Sequence, residues 1–444
     1  MLYMGLIMKR FFKFTISSIL SLWVYSLYTM VDGFFVANYV GEIQFSAVNI
    51  SMPLVTLLFA LGILFSIGTQ AIVGYELGKK EFDIANTVFS TGLISLVIVG
   101  IIVSILLKIF LIPISTILGA NNLTHNFILE YLGIILVFGV FFMVTYQLEV
   151  LVKVDGYPQL AVASVVVAAI SNIFLDYLFI VPLKMGVFGA GLATGMSQIV
   201  STVLMLSHFI LKKGRLRFSK KLDFSKLKKI IPLGFGDSIS ELSMGYTVFL
   251  FNNVLLRNFG QRGVIVYTVL SYISTFGQST MSGISQGLAP LFAYDYGRAY
   301  YSYIKKSLKR GLIFVTSIAI ILILVCYFFS RDLSLIFLSD DVELLNLADK
   351  ALKKYALAFL FLGANILMVT LFASLGKGRI ATLISLLRTP INISMVMFLY
   401  EKFSGGDNIW YVLAISEFIT FIVGLALLNK FILIPLNIEI NKDN

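Results

Sequence analysis

Two aspartates stand where membrane-spanning sequence should carry none: Asp32 in the first apolar run and Asp176 in the fifth, with Asn172 one helical turn before it. A carboxylate in hydrocarbon is costly enough that it normally faces a cavity and binds something. Two carboxylates in one partly dehydrated pocket cannot both ionise easily, so the pair is expected to titrate as a unit and to hold a proton that a cation could replace. Sodium is the alternative occupant, a hard ion satisfied by oxygens from Asp32, Asn172, Asp176 and Thr194 without nitrogen or sulfur. The residue types leave both ions open. Plainer roles exist too: Asn172 could hold two membrane helices together, and Thr194 could bond back onto its own helix.

Asp237 and Glu241 lie four apart on the seventh apolar run and so share a helical face. Glu241 falls roughly 16 Å into its helix, near the midplane. Both are expected to line a cavity and attract a cationic substrate, with Gln278 and Met281 on the eighth run forming an adaptable wall. Glu149 and Lys153 have ion-pair spacing at an interface. Glu417 has no evident partner, His208 is expected at the membrane interface, and His125 in an outer loop. The single cysteine, Cys326, rules out an internal disulfide and reads as packing. Two distant histidines and one cysteine cannot supply most metal or nucleophile constellations, which argues against a membrane-embedded enzyme. No cofactor is expected beyond a coupling ion.

Such acids need helices to hold them. The 444 residues are 59% hydrophobic with a mean hydropathy of +0.94, leaving too little polar surface for a water-soluble body. Runs of about 20 apolar residues, long enough to cross a bilayer, recur twelve times. They cover approximately 16–39, 48–74, 88–112, 127–150, 160–182, 188–211, 230–256, 264–290, 311–329, 354–374, 381–400 and 410–435. The expected fold is an all-α polytopic membrane protein. Lys9, Arg10 and Lys13 run into a first segment too long and too polar at its end for a cleavable signal, and Gly33 is its only obvious hinge. With the N-terminus cytoplasmic, about 25 Lys and Arg fall inside and about 9 outside, so both termini are expected in the cytoplasm of a cell-membrane protein. The net charge of +11 is then mostly topology; nucleic acid is not an expected partner, membrane lipid is, and a monomer is the expected unit.

The chain also repeats itself. A shift of 219 residues pairs Gly41 with Gly260, Gly68 with Gly287, Tyr75 with Tyr294 and Gly78 with Gly297; a shift of 220 pairs Gly156 with Gly376, Asn172 with Asn392 and Gly186 with Gly406. Two pseudo-symmetric six-helix bundles, 1–211 and 230–444, are therefore expected around a central cavity, joined by a basic linker, 212–229, that orients the chain and faces lipid. The acids are not duplicated: Asp32 faces Phe251, Asp176 faces Val396, Asp237 faces Ser18 and Glu241 faces Leu22. At about 1.5 Å per residue, Asp32 and Asp176 each lie roughly 24 Å along their helices from the inner face, and Thr194 about 9 Å below the outer end of its own, nearly one level.

Several runs together resemble the multidrug and toxic compound extrusion (MATE) transporters. They are Val31-Asp32-Gly33 through Gly41 with Pro53 following, Gly74-Tyr75-Glu76-Leu77-Gly78, Asn172-Ile173-Phe174-Leu175-Asp176, the stretch from Gly186 to Thr194, Gln286-Gly287-Leu288-Ala289-Pro290, and Arg388 near Pro390. The resemblance implies an antiporter that exports small organic cations as protons or sodium ions enter. It implies a cation site at Asp32, Asn172, Asp176 and Thr194. It also implies, for some members, a second-half site with a seventh-helix acid matched by Glu241 and a tenth-helix aspartate that this chain lacks, its tenth run carrying only Asn365. A lipid-linked oligosaccharide flippase of the same superfamily is the alternative; its cavity should hold Arg or Lys, whereas the mid-membrane charges here are expected to be acids alone.

Overall fold

The computed structural model describes residues 2–336, 338, 342–403 and 406–442, and among these it is helical with no strand. Long apolar runs without bilayer water must satisfy their backbone internally, and helices do so within each segment. The spans are α1 (Met8–Val40), α2 (Glu42–Lys79), α3 (Phe82–Ile109), α4 (His125–Val137 and Gly139–Val154, bent by 50°), α5 (Pro158–Ile180) and α6 (Gly186–Ile210). Two helices within Leu227–Gly297 then follow, α7 before and α8 after the non-helical Gly260 at which they meet. α9 (Tyr301–Phe328), α10 (Val342–Ser374), α11 (Gly378–Phe403) and α12 (Asn408–Asn441) complete twelve.

Four local details differ from the sequence expectation. α1 is not hinged at Gly33; it widens into a π-type turn over Val36–Val40 and stops at Gly41, whose φ of 135° suits glycine. α10 starts at Val342, well before the expected 354. The seventh and eighth spans are not separated by a loop: the chain turns at Gly260 alone (φ 63°, ψ −155°), a conformation essentially confined to glycine. The segment between α6 and α7 is tied to the first half by hydrogen bonds that the sequence did not indicate. It docks on the first half, with the Arg217 amide donating to Asn86 Oδ1 (2.7 Å), the Ser219 amide to Ser90 Oγ (2.8 Å) and the Asp223 amide to Thr91 Oγ1 (3.0 Å).

The duplicated sequence produces a duplicated backbone. Gly41 and Gly260, one repeat apart, both take positive φ, as do Gly156 and Gly376, and Gly186 and Gly406. A Cβ on Gly78 would strike the carbonyl of Tyr294, and one on Gly297 would strike the carbonyl of Tyr75. Because Tyr75 and Tyr294 are themselves repeat mates, the contact is reciprocal and marks the pseudo-twofold axis between the two six-helix halves. These contacts crowd onto the face where the chain passes from α6 to α7, the linker face. Gly68 abuts Ile230, Gly234 abuts Leu64, and Gly287 abuts Phe14 and Thr15. The halves are in close backbone contact on the linker side.

Candidate functional site

α1 and α5 pack side by side, with α6 against α5. Inside this wedge Asp176 and Asn172 are fully buried and Asp32 nearly so. Asp32 Oδ1, both polar atoms of Asn172 and both carboxylate oxygens of Asp176 are buried and have no hydrogen-bond partner within the protein. A buried polar group left unsatisfied costs about 1–3 kcal/mol, more if charged. Five such atoms on two adjoining helices would be a poor way to build a core, and a coherent way to build a binding site. Asp32 and Asp176 lie within electrostatic reach of each other, and the buried Tyr131 on α4 lies within reach of both.

Thr194 is buried and donates its hydroxyl proton to the Ala190 carbonyl on its own helix (3.0 Å), leaving its oxygen lone pairs free to accept. Asn172 makes no inter-helix bond, so the plainer role of helix tether is absent for it among the described residues. Tyr28 on α1 is buried beside this group and accepts from Gln198 Nε2 on α6 at 3.5 Å. No group of three or more His, Cys, Asp or Glu that could hold a metal ion occurs among the described residues. The oxygens here come from two Asp, an Asn and a Thr, a set that fits either a shared proton or a hard monovalent cation.

The second half is built differently, and one sequence expectation is overturned there. The intramembrane charges are not acids alone: Arg388 on α11 is buried, 7% exposed, with its Nε donating to Glu417 Oε1 on α12 at 2.8 Å. Glu417, which had no evident partner in sequence, also accepts from Asn365 Nδ2 on α10 at 2.7 Å. Asn392 Nδ2 donates to Thr420 Oγ1 (2.9 Å), so the repeat mate of Asn172 is satisfied where Asn172 is not. Residues far apart in sequence supply this triad, and no spacing rule brings Asn365, Arg388 and Glu417 together.

Between the halves lies the central cavity. A chamber of about 170 Å³ is lined by Glu241 and Gln286 from the second half and by Tyr25, Tyr28, Tyr146 and Glu149 from the first. A neighbouring space of about 90 Å³ is lined by Asp237, Glu241, Gln278, Gln286 and Arg388. Asp237, Glu241 and Gln278 thus reach one cavity, as their spacing anticipated. Met281 does not: it is fully buried in the second half's core with its sulfur against Gly363, because the face one turn beyond Gln278 turns inward. Glu149 pairs with Lys153 at 2.7 Å as their spacing predicts; both are buried within the protein, and Glu149 also borders the chamber. His208, in the last turn of α6, is buried within the protein and hydrogen-bonded to Asp155 Oδ2 at 2.7 Å, a partner the sequence did not indicate. Tyr28, Tyr131 and Arg388 were missed as site residues because aromatic and basic residues also abound at membrane interfaces.

The family model MatE matches twice, over residues 17–178 and 238–398, one copy in each half. The chain is 23% identical over 430 residues to the multidrug export protein MepA of Staphylococcus haemolyticus, covering 96% of this chain and 94% of that protein. It is 24% identical over 417 residues to MepA of Staphylococcus saprophyticus, covering 93% and 91%. Among solved structures it superposes on an outward-facing multidrug resistance MATE family transporter of the MOP superfamily with a TM-score of 0.89, 20% identity and 94% coverage of both chains. It also superposes on a MOP superfamily transporter from Pyrococcus furiosus with a TM-score of 0.88.

Proposed function

The chain belongs to the MatE family, and from that premise we propose that it is a secondary active antiporter exporting organic, cationic compounds in exchange for H⁺ or Na⁺ by alternating access. The relatives' names as multidrug export proteins support export. The observation that carries the coupling assignment is the cluster of five unpartnered polar atoms on Asp32, Asn172 and Asp176; Thr194 is added to it from the buried face of the adjoining α6. In this reading the entering ion neutralises the Asp32–Asp176 pair, with Asn172 and Thr194 as further oxygen donors. Glu241 and Asp237 face the central cavity and attract the substrate's positive charge across a weakly screened interior, while Gln278 supplies an adaptable polar contact. Loading the first-half site changes the packing of α1 against α5, and the halves rock about the glycine contacts on the linker face. The excess of basic residues on that face supports a cytoplasmic orientation in the cell membrane, and in this reading the working unit is a monomer.

The test is cation-driven efflux of a fluorescent cationic dye from proteoliposomes containing purified protein. Efflux that follows an imposed proton or sodium gradient, and is lost in Asp176→Asn, is the expected result. Dye movement indifferent to both gradients would sink the antiport reading.

A further inference from the structure

The linker face carries two large hollows that the transport mechanism does not use. One, about 760 Å³, lies between α1, α8 and the linker. The other, about 620 Å³, lies between α2, α7 and the start of α11. They are repeat mates: Lys9 and Arg10 line the first where Lys228 and Lys229 line the second, and Tyr294 and Gly156 of the first correspond to Tyr75 and Gly376 of the second. The preference for basic residues on a cytoplasmic side would load both alike. They are not alike. The second hollow sets four basic side chains against Glu76, whereas the first sets six (Lys9, Arg10, Lys13, Lys213, Arg215, Arg298) against Asp155.

The excess is arranged as well as large. The guanidinium of Arg10 stacks over the Tyr294 ring at 5.1 Å and that of Arg298 at 5.6 Å, while Arg215 Nη1 donates to the same tyrosine's hydroxyl at 3.4 Å. Three guanidinium groups thus gather about Tyr294, Arg298 lying nearer still to the ring of Tyr300, at 4.1 Å. The acid in the hollow is already engaged: Asp155 accepts from the amides of Arg215 (2.7 Å) and Leu216 (3.1 Å) and is hydrogen-bonded to His208 (2.7 Å). Arg10 has Asp295 at 3.3 Å and Lys13 has the Gly156 carbonyl at 3.4 Å. Lys9, Lys213, Arg215 and Arg298 have no ion pair among the described residues. Gathered like charges repel, and the planar, forked donors of arginine match phosphate oxygens in pairs.

We propose that this hollow is a binding site for a phosphate-bearing polyanion, held by Arg215, Arg298, Lys213 and Lys9 around Tyr294. Such a ligand bridges α1, the linker and α8, and so ties the first half to the second on the side where they are already in close contact. By linkage it favours that arrangement over any in which α1 and α8 separate.

The full chain, in nanodiscs of phosphatidylcholine at low salt, is titrated with inorganic triphosphate by calorimetry. Two variants each remove two charges: Lys213→Gln/Arg215→Gln in the proposed site, and Lys228→Gln/Lys377→Gln in its repeat mate. The expected result is saturable binding, weakened at least about fivefold by the first pair and less than about twofold by the second, and falling with added salt. A lipid source of the same chemistry is read by native mass spectrometry after reconstitution with phosphatidylglycerol; loss of retained lipid in the first pair alone also supports the site. Equal weakening by both pairs overturns the proposal, as does an absence of saturable triphosphate binding together with equal lipid retention in both variants. Size-exclusion profiles matching the parent confirm that each variant is folded.

Discussion

At the scale of single residues, two clusters of buried polar groups are treated in opposite ways. Arg388 donates to Glu417, which also accepts from Asn365, whereas Asp32 Oδ1 and both oxygens of Asp176 are buried without partners. Asp32→Asn removes the charge with little change of shape from a side chain that bonds to nothing, so coupled efflux should vanish while expression and melting temperature stay near the parent's. Normal efflux from Asp32→Asn at parental expression would count against the site. Glu417→Gln should do the reverse to stability: stranding the Arg388 charge costs about 3–5 kcal/mol, and replacing both partners by methionine should restore most of it. Thermal unfolding of the two variants decides this; a double variant no more stable than the single would refute the pairing.

Among elements, the glycines that end or join helices carry the shape. Gly260 adopts a backbone conformation that a Cβ disfavours, so Gly260→Ala should destabilise by about 1–3 kcal/mol. Gly245, on α7, has open space around the position of a Cβ and ordinary helical geometry, so Gly245→Ala should stabilise by about 0.5–1 kcal/mol. Opposite signs in a chemical-unfolding comparison are the expected outcome, and matching signs would mean that the turn at Gly260 is not held as described. Gly78 and Gly297 let the backbones of α2 and α8 meet across the axis. Gly297→Ala should force them apart. Spin labels at Asp83 and Lys306 in a Cys326→Ser background should then report a longer or broader distance than in the parent, and an unchanged distance would show that the contact does not hold the linker face together.

For the whole molecule, asymmetry laid on a duplicated scaffold is the main theme. The repeat puts Ser18 and Leu22 where the second half has Asp237 and Glu241, and Phe251 and Val396 where the first half has Asp32 and Asp176. That pattern supports a division of labour between ion coupling and substrate attraction. Glu241→Gln should weaken binding of cationic dyes about tenfold, a loss of roughly 1.4 kcal/mol, and leave neutral dyes nearly unaffected. Turnover should remain driven by the ion gradient. If dye affinity is unchanged while proton or sodium dependence disappears, the assignment is reversed and the second half carries the coupling site.

The sequence alone determined the helical class, the twelve spans, the repeat and the candidate acids of the first half. These follow from quantities that are local or strictly periodic: apolar run length against bilayer thickness, a constant register, and the rise per residue that put Asp32, Asp176 and Thr194 near one level. Tertiary structure alone decided who meets whom. Glu417 found Arg388 and Asn365 from α11 and α10, His208 found Asp155, and Met281 turned into the core although Gln278, three residues earlier, reached the cavity. Gly41 and Gly260 were visible as a repeated pair, but their role as turns emerged only from the backbone. Partner choice for a buried charge depends on the rotation of neighbouring helices about their axes, and that rotation is set by packing across the whole bundle, which no window of sequence contains.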